Sequence, residues 1–401
     1  MNKFVKISLV ASLAIAGISV SASAGSLEDA LSQGKFSGDI KSYYFVQSFE
    51  GAGKNDSSIW VNGGHLKYIS GSLNGVSVGA TLQASSVNDI DDEDGKTKST
   101  MDAQGAQLSE SYINYKISNT SIKAGRQFIV GMPLLGRSGS RMIKDSFEAY
   151  LLTNTDLENT TILAGKVTKY QGRTDFSGHG AYTTLGTGTG AIGDFLKVGT
   201  DGTDTIYVKN TSIKNLTLRG QYLGTDSVSD VLYVDAKYQF IGDLKPYLAV
   251  QYYDTDYDSS TTDSSLYGVK VGASVSGVNL FAAYSSTDDE GSVDRGLGQG
   301  AYSIYTASVK TAGGDAYKAG TDSWTTGASY TFANSLNARV QYSNYDQPTA
   351  NADLDELNFT FKYKFSGELK NLSARIDYTI LDYDDDSKDA TDFRSKLIYS
   401  F

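Results

Sequence analysis

The feature that most constrains this chain is a two-residue alternation of apolar and polar side chains that recurs along its length. The clearest case sets Leu357, Phe359, Phe361, Tyr363 and Phe365 against Glu356, Asn358, Thr360, Lys362 and Lys364. Leu336, Ala338, Val340 and Tyr342 alternate with Asn337, Arg339, Gln341 and Ser343, and Leu372, Ala374, Ile376, Tyr378 and Ile380 with Ser373, Arg375, Asp377 and Thr379. Successive side chains of a strand point to opposite faces, so each segment is a strand with one apolar and one polar face. A soluble sandwich with an apolar core would alternate in the same way, so alternation alone admits two architectures.

The connections separate them. Outer-membrane strands run about 9 to 11 residues and alternate brief periplasmic turns with longer external loops. Strand centres fall near Tyr43, Leu66, Ala80, Ile113, Ala124, Ala149, Ala164, Tyr207, Leu218, Val234, Val250, Val269, Phe281, Ala328, Val340, Phe359, Ile376 and Leu397, which makes 18. An even number returns both termini to the periplasmic side. Brief turns fall at Leu73-Asn74-Gly75, Ser118-Asn119-Thr120-Ser121, Asn210-Thr211-Ser212, Gly242-Asp243, Ser276-Gly277 and Ala333-Asn334-Ser335. Between them lie longer polar connections, the largest at 171–203 and 286–323, with an acidic one at 89–102. Short then long, kept through the chain, predicts an all-β, antiparallel, up-and-down transmembrane barrel of about 18 strands. Its 28 Tyr, 16 Phe and 42 Gly against 3 Pro suit many strands and few helices. With no cysteine, an exported chain must draw its stability from continuous hydrogen bonding.

Both ends agree. Lys3 and Lys6, an apolar run over 7–20 and Ala22-Ser23-Ala24 before Gly25 have the three parts of a secretory signal peptide. The run is shorter than the roughly 20 residues a membrane-anchoring helix needs. Residues 1–24 are therefore expected to be removed, leaving 25–401 as one barrel domain in the outer membrane of a Gram-negative cell. Ser26 to Leu31 has capping-box spacing and predicts a single helical turn before the first strand. At the other end Leu397, Tyr399 and a terminal Phe401 form the lipid-facing side of a last strand, suited to recognition by the barrel-assembly machinery. Without Lys3 and Lys6 the chain has 33 basic and 46 acidic residues, a net of about −13, which argues against nucleic acid as a partner.

Two blocks are more specific. One runs Ser26-Leu27-Glu28-Asp29-Ala30 through Gly38-Asp39-Ile40-Lys41-Ser42-Tyr43-Tyr44-Phe45. The other runs Lys123-Ala124-Gly125-Arg126-Gln127 to Pro133-Leu134, Ser140-Arg141 and Asp145-Ser146-Phe147-Glu148. In these blocks the chain resembles the OprD-type outer-membrane porins, including the major outer-membrane protein group. The resemblance implies an 18-stranded barrel narrowed by an inward loop, with small carboxylates or amino acids as frequent cargo. Carried over, the inward loop is 129–144 and the constriction holds Arg137, Ser138, Arg141, Lys144 and Asp145. The residues themselves support such a loop: Gly131, Pro133, Gly136 and Gly139 break any strand, while Met132, Leu134, Leu135 and Met142 are too apolar for water. Packing against a partner protomer is the other way to cover them. If Ile122 and Ala124 face lipid, Arg126 faces outward too, unless a bulge resets the register.

The polar faces carry Lys41, Lys116, Lys209, Arg219, Lys237, Lys270, Arg339, Lys362, Lys364, Arg375, Arg394 and Lys396 against Asp39, Glu110, Asp235, Glu356 and Asp377. A lumen lined in this way favours anions, with Arg219, Lys237, Arg339, Lys362, Arg375 and Arg394 as the expected basic wall. Cross-strand pairing between these charges is the competing reading. The excess acid then sits in loops: Asp89, Asp91, Asp92, Glu93 and Asp94; Asp288, Asp289 and Glu290; Asp382, Asp384, Asp385 and Asp386. Such clusters could hold a divalent cation such as calcium, though none has EF-hand spacing and a solvated surface explains them as well. No other cofactor is expected. Gly188 to Gly193 matches G-x-G-x-x-G without the strand and helix a dinucleotide site needs. His65 and His179 lie in no recognisable triad or metal motif.

The expectation is therefore a diffusion porin for small hydrophilic solutes and ions, not an enzyme. An adhesin or structural surface barrel, or a barrel hydrolase built on fewer strands, are the other classes considered. The sequence leaves the oligomeric state open, a homotrimer included.

Overall fold

A computed structural model describes residues 24–51, 54–91, 101, 103–174, 194–258, 262–333, 335–348 and 352–401. Residues 1–23 of the signal segment, Asp92 to Asp94, His179 and the Gly188 to Gly193 motif lie outside these residues. Ser26 caps a short helix, α1 (Leu27–Ser32), its hydroxyl accepting from Asp29 N–H at 3.1 Å. Strands follow: β1 (Lys35–Phe49), β2 (Ser57–Ile69), β3 (Val76–Asp91), β4 (Gly105–Ile117), β5 (Thr120–Gln127), β6 (Ser146–Asn154), β7 (Thr160–Gln171), β8 (Leu196–Lys197), β9 (Thr203–Asn210) and β10 (Leu216–Thr225). Then come β11 (Ser229–Gln239), β12 (Tyr247–Tyr257), β13 (Ser264–Val275), β14 (Val278–Thr287), β15 (Asp322–Thr331), β16 (Leu336–Asp346), β17 (Leu354–Lys364), β18 (Leu372–Tyr383) and β19 (Ala390–Ser400). The two-residue β8 only prolongs the edge beside β7. The other eighteen pair antiparallel with their sequence neighbours, and β1 pairs with β19 from Asp39↔Ser400 to Phe49↔Ala390. The ring is closed, so no edge is left unpaired in lipid. Every expected strand centre falls inside one of these strands.

The faces are inverted relative to a soluble sandwich. Leu66, Ile113, Leu232, Val250, Val269, Val340, Ile376 and Leu397 lie on the outside and are exposed, whereas Gln83, Gln221, Gln251, Ser285, Gln341, Ser343 and Thr379 point inward and are buried. An apolar band around the outside belongs in a bilayer and would be an aggregation surface in water. Aromatic pairs mark the periplasmic strand ends, with ring centroids 4.8 to 4.9 Å apart in Phe36–Tyr68, Tyr238–Phe240, Tyr330–Phe332 and Tyr363–Phe365. At the other end Tyr222, Tyr252 and Tyr284 donate their hydroxyls to Asp230, Asp254 and Asp322 at 2.8, 3.2 and 2.8 Å. The alternation of short and long connections is looser than expected. Residues 226–228 join β10 to β11 in three residues on the side of the long loops. The eighteen barrel strands range from 8 to 16 residues.

The larger correction concerns residues 288–321, expected as an external loop. Val293, Leu297, Ala301, Ile304, Thr306, Ala316 and Tyr317 are buried there. Of these, Val293, Leu297, Ile304, Ala316 and Tyr317 join Leu134, Leu135 and the inward-facing Phe147, Tyr170, Tyr207, Tyr233, Tyr253 and Tyr345 in one apolar cluster inside the barrel. Two loops, not one, fold into the lumen.

Candidate functional site: the pore constriction

The first inward loop, 128–145, is held by polar side chains of the wall. Phe128 N–H donates to Glu110 at 3.1 Å and Leu134 N–H to Gln221 at 2.7 Å. Gln83 binds Lys144 twice, accepting from its N–H at 3.0 Å and donating to its carbonyl at 2.9 Å. Lys396 donates to the Ser140 carbonyl at 2.5 Å and Lys41 to that of Met142 at 3.4 Å. The loop thus touches β1, β3, β4, β10 and β19 and crosses the lumen, as the sequence reading expected.

The second loop is zipped to it. Leu135 and Leu297 form a parallel bridge, Leu297 N–H donates to the Leu134 carbonyl at 2.9 Å, and Gly300 N–H to that of Gly136 at 2.7 Å. Gly296 and Gly298 have φ of +94° and +98°, and a Cβ on Gly296 would lie 2.1 Å from the Leu134 carbonyl oxygen, so this approach requires glycine. Farther along, Glu356 of β17 accepts from Lys310 N–H at 2.6 Å, Thr311 N–H at 3.1 Å and the hydroxyls of Ser308 and Thr311 at 2.7 Å each. Asp145 ties both loops to the wall. Wholly buried, it accepts from Ser138 N–H at 2.5 Å, Gln299 N–H at 2.8 Å and the Tyr170 hydroxyl at 3.2 Å. Burial pushes its carboxyl above the usual carboxylate range against these donors. Asp145 is therefore an anchor of the constriction, as is Ser138, whose hydroxyl accepts from Arg173 at 2.8 Å.

Of the cations expected at the narrows, Arg137 lies half-buried over the Phe128 ring at 5.4 Å. Arg141 is in the loop near Arg173 and Arg394. Lys144 lies half-buried beside His65, with ring nitrogens 3.1 and 3.3 Å from Nζ. The basic wall divides in two. Arg219 pairs with Asp235, Arg375 Nε with Asp377 at 2.6 Å and Arg394 Nε with Asp392 at 2.7 Å, so cross-strand and next-neighbour pairing neutralises half of it. Lys237, Arg339 and Lys362 have no carboxylate partner among the described residues. Lys237 sits 4.1 Å from the Tyr247 ring centre and Arg339 hydrogen-bonds Gln341. Lys362 is registered against Arg375, and Arg375 against Lys396, which makes a row of three cations on adjacent strands.

Sequence reasoning missed Arg173 and Lys310, because both belong to segments read as external. Lys310 Nζ meets Asp392 at 2.5 Å, and burial lowers its pKa to about 8. Glu356, counted as a wall acid, is fully engaged by the second loop, through two backbone N–H groups and two hydroxyls. Arg126 faces outward: the register of β5 is unbroken on both sides, and Arg126 opposes Glu148, with Nε 3.8 Å from the carboxylate. It is not a pore residue. Leu397, Tyr399 and Phe401 lie exposed on the outer wall, and Phe401 and Gly38 exchange backbone hydrogen bonds of 3.1 and 2.9 Å that close the ring. Among the described residues no three carboxylates or histidines converge to hold a metal ion.

Solved structures share this fold. OccAB1 of Acinetobacter baumannii superimposes with a TM-score of 0.77 at 16% identity, covering 93% of this chain and 98% of that one. Pseudomonas aeruginosa OccK9 (OpdG) gives 0.76 at 18%, covering 93% and 99%. P. aeruginosa OpdK, solved with vanillate, gives 0.73 at 16%, covering 92% and 99%. No curated relative matches the sequence. The sequence itself matches the outer membrane porin, OprD family, over residues 28–401. Together with a closed eighteen-stranded barrel whose lumen is narrowed by two inward loops, that match makes this chain a member of the OprD family of outer membrane porins, a channel of the Gram-negative outer membrane through which small solutes pass.

Proposed function

We propose that the channel prefers small organic anions, carboxylates above all. The observation that carries this is the registered row Lys362–Arg375–Lys396 in the periplasmic half of the wall, with Arg339 beside it. Like charges on directly opposed residues destabilise a sheet, and Asp377 is the carboxylate that pairs with Arg375 there. An anion passing the row is attracted in a narrow lumen where bulk water screens little. The wall row leads up to Lys396, whose ammonium reaches the Ser140 carbonyl of the constriction loop, so the cations continue from wall to narrows. The vanillate in OpdK is itself a carboxylate, which accords with this reading. Amino acids, with a carboxylate and an ammonium, are a second class that Asp39 beside Lys41 and Lys144 would suit.

The test is liposome swelling with protein refolded into phospholipid. Benzoate is expected to enter faster than benzamide of the same size, by several-fold. Equal rates, or faster entry of the neutral amide, would defeat the anion preference while leaving the channel intact.

A further inference from the structure

His65 stands in no sequence motif, yet it lies in a closed set of charged groups where the first inward loop meets the wall. Its Nδ1 is 2.9 Å from Asp39 Oδ1, and Lys144 Nζ is 3.8 Å from Asp39 Oδ2. Lys41 Nζ is 3.4 Å from the same carboxylate. The four side chains are 9 to 14% exposed, at the edge of the lumen. Arg137 of the loop and Glu110 of β4 also act on Lys144, and Glu110 is itself engaged by Lys67 of β2 at 2.8 Å and Lys123 of β5 at 4.0 Å. Gln83 of β3 holds the Lys144 backbone and adds no charge.

Lys144 Nζ lies 3.1 Å from Nδ1 and 3.3 Å from Nε2, so the ammonium sits against the ring, while the Asp39 carboxylate approaches the ring at Nδ1. An ammonium only donates and an ionised carboxylate only accepts, so the imidazole stands between a donor and an acceptor and fixes the place of both. Loss of the proton from Lys144 would leave Asp39 balanced by Lys41 alone.

We propose that His65 and Asp39 are positioning residues that hold Lys144 at the constriction, and that Lys144 is a specificity-determining cation whose charge, and with it the anion preference, is set by pH. The inference rests on the anion reading above. Burial, with Lys41 close by, lowers the Lys144 pKa to about 7. Its charge is thus present below neutrality and lost above, roughly ten to one in favour of the ammonium at pH 6 and one to ten at pH 8.

The experiment measures the reversal potential of the full chain in planar bilayers under a KCl gradient, from pH 5.5 to 8.5. Anion preference is expected to fall through about pH 7. Lys144→Gln should remove the fall near pH 7 and leave a low preference, and Lys144→Arg should remove it and leave a high one, since a guanidinium keeps its proton throughout; a remaining fall near pH 8 belongs to Lys310. His65→Ala opens the site to water, relieves the burial of Lys144 and should move the midpoint up by about one unit. Heat-modifiable migration checks that each variant is folded. A flat wild-type profile, a Lys144→Gln profile that still falls through about pH 7, or a His65→Ala profile that superimposes on wild type would each overturn the proposal. A cation-selective channel with the same slope would instead refute the anion reading and leave the switch standing, so the sign and the slope report on the two claims separately.

Discussion

Replacing Glu356 with alanine should release the second inward loop and widen the pore. The carboxylate is fully buried and is the acceptor for two loop N–H groups, those of Lys310 and Thr311, and for two hydroxyls. The hydroxyls of Ser308 and Thr311 lie 2.7 Å apart and can turn to each other. The two N–H groups have no such recourse. The two groups are half-buried, so the low end of the roughly 1–3 kcal/mol for an unsatisfied donor applies, about 2 kcal/mol for the pair. At 1.4 kcal/mol per factor of ten, that shifts the docked-to-undocked ratio about 30-fold. Lys310 to Asp392 and Gln341 to the Ala307 carbonyl, at 2.8 Å, would still tether the segment, so it should fluctuate rather than leave. Single-channel recording of Glu356→Ala should therefore show higher mean conductance and more open-channel noise. Glu356→Gln, which keeps one acceptor oxygen, should lie between. A folded Glu356→Ala protein with the conductance and noise of wild type would show that this loop does not narrow the ion path.

Replacing Arg339, Lys362 and Arg375 together with Gln should shift the reversal potential toward cations. Even at the dielectric of bulk water a charge about 8 Å from the path contributes about 0.5 kcal/mol, so each one removed in the less screened lumen is worth roughly twofold or more in permeability ratio; no shift would mean these side chains do not face the ions. Deleting Phe401 removes the N–H and carbonyl that close β19 onto Gly38, and should lower the yield of heat-modifiable protein in the outer membrane; an unchanged yield would make the terminal residue incidental to assembly. Intact mass of membrane-extracted protein should correspond to a chain starting at Gly25, and a mass that retains Met1 would refute cleavage after Ala24.

How much of this was legible in the sequence depends on the range of the interaction. The strands were, because a two-residue period is a local property and a barrel leaves no strand without it. The first inward loop was, because Gly131, Pro133, Gly136 and Gly139 stand among Met132, Leu134 and Leu135. The second carries the same signature, with Gly296, Gly298, Gly300 and Gly313 among Leu297, Ile304 and Val309. Its acids Asp288, Asp289 and Glu290 and its length give it the look of an external loop all the same. Arg126 could be placed on the outside by counting from Ile122, and the unbroken register agrees. The His65–Lys144 contact joins residues 79 apart in the chain, and Glu356 meets a loop 45 to 48 residues away. Nothing in the local pattern of either partner announces such a meeting, since a lumen-facing acid looks the same whether it meets solvent or a loop backbone.

The central claim is a water-filled pore whose walls favour anions. It is tested most directly by the purified chain in a planar bilayer at pH 6, under a tenfold KCl gradient. Discrete, ohmic conductance steps with a reversal potential on the chloride side are expected. A silent membrane would contradict the open lumen, and a reversal potential on the potassium side would contradict the basic wall.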